Sequence, residues 1–221
     1  MIHLLPELEV RILGSLIEKQ ISTPEYYPMT LNALTNACNQ KNNRDPVVTY
    51  DDTTVIRGLD GLRDKVLVAM VTGAGMRVPK YRQKFTETYL FTEQQTAAMC
   101  ILMLRGAQTV GEIRTRATML YNFTSLEEVE TILLGLIERT PDPLVIRLPR
   151  QPGQKEVRYM HLLCGTPNIA EIAASMPVEP ARIQVQAENE RIAALEKTVA
   201  AMQAEIKQLH GQFAEFKKQF E

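Results

Sequence analysis

No run of apolar residues in this sequence approaches the ~20 that a helix needs to cross a bilayer. The first ten residues, MIHLLPELEV, lack a basic region and place Glu7 and Glu9 where a signal peptide would be apolar. Together these absences point to a cytoplasmic protein with no membrane partner. Cysteine is scarce as well: Cys38, Cys100 and Cys164 are widely spaced in apolar surroundings, an odd set with no CxxC pair. That excludes a disulfide framework and gives a zinc site no starting point, so three buried thiols are expected. The histidines His3, His161 and His210 are equally scattered. Neither a metal nor any other cofactor is expected.

Signatures of catalysis are missing too. There is no GxxxxGK(S/T) loop, no GxGxxG after a strand, no HExxH and no GxSxG elbow. The string TGAG (72–75) falls at a hairpin tip rather than before a helix. Carboxylate pairs such as Asp51–Asp52 and Glu127–Glu128 stand at helix starts, where the helix dipole accounts for them without acid–base chemistry. No catalytic residue is assigned, and a non-enzymatic protein is expected.

What is present is an ordinary globular composition, 45% hydrophobic and 23% charged, with a net charge of −1. Such a balance argues against a protein that coats nucleic acid. The charge is unevenly spread, however. Between Arg63 and Lys84 there are six cations (Arg63, Lys65, Arg77, Lys80, Arg82, Lys84) and one acid, Asp64.

PELEVRILGSLIEKQ repeats apolar residues at helical spacing behind Pro6, and Thr30 is a natural N-cap for LNALTNAC. The stretch STPEYYPM between them reads as turn. DDTTVIRGLDGLRDKV predicts a third helix that buries Val55, Leu59, Leu62 and Val66. VLVAMV, the turn TGAG and MRVPKYRQKF then predict a hairpin. The same order returns in TEQQTAAMCILMLRG behind Thr92, VGEIRTRA behind Thr109, SLEEVETILLGLIERT with a capping box at Ser125 and Glu128, and LVIRLPR–QPGQ–EVRYMHLL. LDGLRDK (59–65) aligns with LLGLIER (133–139), so the period is about 75 residues, that of a duplicated domain rather than a solenoid.

Three helices plus a hairpin is the winged-helix arrangement. The expected fold class is therefore mainly α with small β hairpins (α+β). It comprises two tandem winged-helix domains (1–86 and 87–165), a linker (166–185) with one short helix, and a C-terminal coiled-coil helix (186–221). In that last segment Ile192, Leu195, Val199, Met202, Ile206, Leu209, Phe213 and Phe216 recur with spacings of 3 and 4. A 3.5-residue period with β-branched a positions predicts a homodimer through a parallel coiled coil.

In a winged helix the third helix commonly enters the major groove while the wing touches the backbone. The candidate groove residues are Thr53, Thr54 and Arg57, and the candidate wing residues are Arg77, Lys80, Tyr81, Arg82 and Lys84. NQKNNRDP (39–46), just before the third helix, adds Lys41, Asn42, Asn43 and Arg44 as candidates for contact with double-stranded DNA. Its amides and aspartate equally suit a loop bonded to itself. Asp51, Asp52, Asp60 and Asp64 on the first third helix, and Glu127, Glu128, Glu130 and Glu138 on the second, oppose phosphate. They favour an alternative, a scaffold whose winged helices bind protein partners without touching DNA.

LTNACNQKNNRDP, GLDGLRDK and RVPKYRQKF resemble the signature stretches of the YceH-like family of bacterial proteins, a likeness covering about residues 4–165. The resemblance implies a tandem winged-helix fold in a cytoplasmic bacterial protein. It implies no reaction, cofactor or ligand.

Overall fold

Pro6, with its fixed φ and no N–H to lose, stands at the N-cap of the first helix, α1 (Glu7–Ser22). The structure, a computed structural model, describes residues 4–73, 77–150 and 156–166. After α1 the chain forms a 3-10 turn η1 (Pro24–Tyr26), β1 (Met29–Thr30), α2 (Leu31–Cys38), α3 (Asp52–Asp64), β2 (Val68–Val71) and β3 (Lys80–Gln83). A single turn, α4 (Phe85–Thr88), leads into α5 (Glu93–Arg105), α6 (Val110–Arg116), α7 (Leu126–Ile137), β4 (Val145–Arg147) and β5 (Tyr159–His161). The described residues thus hold seven α-helices and two small antiparallel sheets.

Side-chain caps set most helix starts. Thr30 accepts from Ala33 N at 3.3 Å and Asp51 from Thr54 N at 2.8 Å. Thr92 with Gln95, and Thr109 with Glu112, complete reciprocal capping boxes. The box expected at Ser125 forms only in half. Ser125 accepts from Glu128 N at 3.2 Å, but the Glu128 carboxylate turns to Thr124 N and Oγ1, both at 2.8 Å.

Two other expectations need correction. STPEYYPM is not only turn, because β1 pairs with β3 (Met29 opposite Tyr81, Thr30 opposite Lys80) and extends the hairpin to a sheet of order β1-β3-β2. Val66 is 60% exposed, and Leu67 is buried in its stead. The cause is the helix end: Leu67 N bonds Leu62 O and Val66 N bonds Arg63 O, which turns Val66 to φ +58 and points it outward.

The second half repeats the pattern closely. β4 pairs with β5, with Val145 opposite His161 and Arg147 opposite Tyr159. Gln108, just before the Thr109 cap, exchanges both backbone hydrogen bonds with Tyr159 at 2.9 and 2.8 Å. It occupies the place that Met29 holds against Tyr81. Both halves feed one hydrophobic cluster in one compact unit. α1 crosses α5 closely at Gly14, where a Cβ would stand 2.9 Å from Leu104 Cδ2. Cys38 and Cys100 are buried beside this crossing, whereas Cys164 is exposed, against the expectation of three buried thiols. The short linker helix and the coiled coil expected beyond residue 166, including the stripe from Ile192 to Phe216, lie outside the described residues.

Candidate nucleic-acid interface

NQKNNRDP is tied down from four directions. The Asn39 side chain donates to Tyr50 O at 2.7 Å and accepts from Tyr50 N at 2.8 Å, closing the loop base. Asp45 N donates to Leu104 O of α5 at 2.9 Å, and Arg11 of α1 donates to Pro46 O at 2.6 Å. Arg44 turns inward. Its guanidinium donates to Ala37 O at 3.1 and 2.9 Å, to Asn43 O at 2.9 Å and to both Glu18 oxygens at 3.1 and 2.7 Å. The side chain is 0% exposed, so Arg44 does not reach nucleic acid. Burial raises the Glu18 pKa, but the hydrogen bond and charge of Arg44, with help from Lys19, lower it further, and the carboxyl ends below its usual range. Asn43 takes the left-handed conformation at φ 61, which asparagine tolerates, and its side-chain oxygen accepts from Arg105. Lys41 and Asn42 face solvent. The loop is a brace whose tip carries them outward.

On α3, Thr53 and Arg57 are exposed and Thr54 is half-buried, with Ile56 exposed between them. Hydrogen bonds to Thr54 hold the Asp51 carboxyl below the usual range. Asp52 accepts from the Thr35 hydroxyl at 2.6 Å, and Asp60 pairs with Arg63 at 3.0 Å. Three of the four opposing carboxylates therefore have positive or hydrogen-bonding partners at hand, though they remain at the surface.

Strand alternation sorts the hairpin. Tyr81 and Gln83 are buried while Lys80 and Arg82 are half-exposed, because neighbouring side chains on a strand take opposite faces. Tyr81 is 9% exposed and belongs to the core, so it is withdrawn from the expected wing contacts. Lys84 is half-exposed, and Arg77 is exposed beside the hairpin tip. Arg82 pairs with Glu87 at 2.8 Å across an open surface, an interaction worth little against solvent. The structure thus places Arg77, Lys80, Arg82 and Lys84 along one hairpin and Thr53 and Arg57 on the helix that packs against β2.

Sequence reasoning missed Arg11 and Glu18, which reach the brace from inside an apolar helix pattern. Their signal was present: charged residues beside Ile12 and Ile17 call for buried partners. Arg105 and Arg116 lie in the last turns of α5 and α6, a position that suits a cation and draws no attention in sequence. Among the described residues no helix is long and apolar enough to cross a membrane, and no group of three or more His, Cys, Asp or Glu could hold a metal ion.

A family model described as "Protein of unknown function, DUF480" matches residues 5–154. A UPF0502 protein of Geobacter sulfurreducens is 52% identical over 218 residues, covering 99% of each chain. Another from Geotalea uraniireducens is 52% identical over 217 residues and 98% of each chain. A UPF0502 protein of Photobacterium profundum is 43% identical over 205 residues, 91% of this chain and 92% of its own.

Proposed function

The chain belongs to the DUF480 (UPF0502) family of bacterial proteins, the group to which its YceH-like stretches pointed, and on that premise we propose a non-enzymatic, DNA-associated regulator. In this reading two winged-helix units stand in tandem and a C-terminal coiled coil pairs two chains. The order helix–strand–helix–helix–hairpin with a sheet ordered β1-β3-β2 supports the first unit. The Gln108–Tyr159 bridge in the place of β1 supports the second. The heptad stripe of the sequence supports pairing.

One observation carries the DNA reading: β3 turns Lys80 and Arg82 outward as a pair while Tyr81 and Gln83 anchor the strand. Cations on a rigid hairpin meet phosphate at low conformational cost, and the affinity they supply falls with salt. α7, with exposed Glu127 and Glu130 around exposed Leu126 and Leu134, is unsuited to phosphate. Its apolar and acidic face favours a protein partner for the second unit, which keeps the scaffold as the competing reading.

The test is a salt titration of binding to mixed-sequence duplex DNA, with full-length protein and the Lys80→Glu/Arg82→Glu double variant. Removing two phosphate contacts should lower the slope of log affinity against log salt by about 2. Undetectable binding at low salt, or binding indifferent to the double substitution, ends the DNA reading.

A further inference from the structure

The brace, α1, α5 and α6 enclose a cleft of about 410 Å³, within the size range of small-molecule sites. Its charge is lopsided. Among the described residues Lys19, Lys41, Arg105 and Arg116 line it against a single carboxylate, Glu18, which is already engaged by Arg44 at 2.7 Å and Lys19 at 3.4 Å. Arg116 pairs with Glu112 at 3.3 Å, but Glu112 also holds Arg158 at 2.6 Å, so one carboxylate serves two guanidinium groups. Arg105 bonds the Asn43 side chain, and Lys41 makes no ion pair among the described residues. Burial lowers the Arg105 pKa, and the nearby charges of Arg116 and Arg44 lower it further, against the pull of Glu18 and Asp45. Like charges held this close are costly unless something negative joins them.

We infer that this cleft binds a small polyphosphate-bearing molecule with an apolar or ring portion. The cations supply the phosphate contacts. Side-chain amides of Gln40 and Asn42 add neutral donors at the rim. Ile101, Leu104 and Leu120 form the apolar wall against which the rest of the ligand lies. A diphosphate fits the charge better than a monophosphate, because four lining cations face one carboxylate, Glu18, that Arg44 already engages. This site is separate from the hairpin and does not depend on DNA binding. It also gives the brace a purpose: the bonds that hide Arg44 are those that hold Lys41 and Asn42 over the cleft.

Isothermal titration of the full-length chain with pyrophosphate, adenosine diphosphate and adenosine tests it. The diphosphate nucleoside should bind best, pyrophosphate more weakly and adenosine not measurably. Lys41→Glu with Arg116→Glu should weaken adenosine diphosphate by about tenfold or more. The exposed Lys41→Glu alone, which disturbs no described partner, should weaken it by a smaller factor. The hairpin variant Lys80→Glu/Arg82→Glu should leave it unchanged. No binding of either phosphate probe at millimolar concentration overturns the inference. So does binding that ignores the cleft substitutions, or binding lost to the hairpin variant instead, which would mark a diffuse attraction for anions.

Discussion

Between α2 and α3 the chain carries Arg44 into the interior, where Glu18 and three backbone or amide oxygens of the loop and α2 receive it. Between α6 and α7, at the matching point of the second half, the chain buries Phe123 instead and stacks Tyr121 edge-on against it, ring centres 4.9 Å apart. There the arginine is reversed in direction: Arg114 stays exposed on α6 and donates to Phe123 O and Thr124 O of the loop at 3.4 and 3.1 Å. One connection is anchored by charge and the other by an aromatic plug. A plug tolerates small shifts, since apolar contact has no direction. A buried forked ion pair permits one geometry, and so it fixes the loop tip that overhangs the cleft.

The largest effect should follow from breaking the charged anchor. Arg44→Met leaves Glu18, 13% exposed, with Lys19 as its remaining ion-pair partner among the described residues. Urea unfolding should show a loss of about 4 kcal/mol, the usual cost of stranding one member of a buried pair. Phe123→Leu, a modest change of shape in the plug, should cost about 1 kcal/mol. The Glu18 carboxyl lies below its usual range in the folded chain. Its contribution is therefore present above the ordinary carboxylate pKa and lost as the pH falls through the lowered value. Equal losses for the two substitutions would mean that the two anchors do not differ as described.

The elements themselves were largely legible, because helix starts depend on local chemistry. Thr30, Thr92 and Thr109 stand next to the apolar periodicity they cap, and the structure puts a cap at each. Less legible was whatever depends on distance. Whether Arg44 faces water or Glu18, twenty-six residues away, is decided by tertiary packing. Tyr81 looked like a wing aromatic because hairpin alternation fixes which residues share a face but not which face meets the core. Val66 followed the helical period, but the helix had already ended. The cleft was invisible for the same reason as the Arg44–Glu18 pair: its cations come from α1, the loop, α5 and α6.

A second difference lies in the sheets. Gln83 of β3 and His161 of β5 hold matching positions, opposite Val68 and Val145. Gln83 is satisfied by Gln20 at 2.7 Å and Thr86 at 2.8 Å. His161 is buried, its Nδ1 without a hydrogen-bond partner among the described residues, and burial lowers its pKa from 6.5 to about 4. Because the unfolded chain takes up this proton first, stability is full above pH 6.5 and falls as the pH drops toward 4, by about 3 kcal/mol. His161→Gln, which installs the first half's residue, should flatten that part of the profile relative to the parent chain in urea unfolding at several pH values. Parallel profiles would show that His161 titrates normally and that the two sheets do not differ in this respect.

The smallest effect is also the sharpest, because its sign should reverse between the halves. Gly61 and Gly135 occupy the same place in LDGLRDK and LLGLIER. In a helix interior, alanine is favoured over glycine by about 1 kcal/mol through backbone entropy alone. Among the described residues a Cβ on Gly135 meets nothing within 4 Å, so Gly135→Ala should stabilise by about that amount. A Cβ on Gly61 would stand 2.2 Å from Glu9 Oε1. That carboxylate cannot swing away freely: its side chain is 7% exposed, Lys65 Nζ holds both oxygens at 3.0 Å, and the same ammonium donates to Gly61 O at 3.3 Å. Displacing Glu9 loosens the tie between α1 and the end of α3, so Gly61→Ala should destabilise by about 1 kcal/mol despite the better helix former. If both substitutions stabilise, Glu9 yields at no cost, and α3 lies against α1 no more tightly than Gly135 lies against its own open surroundings.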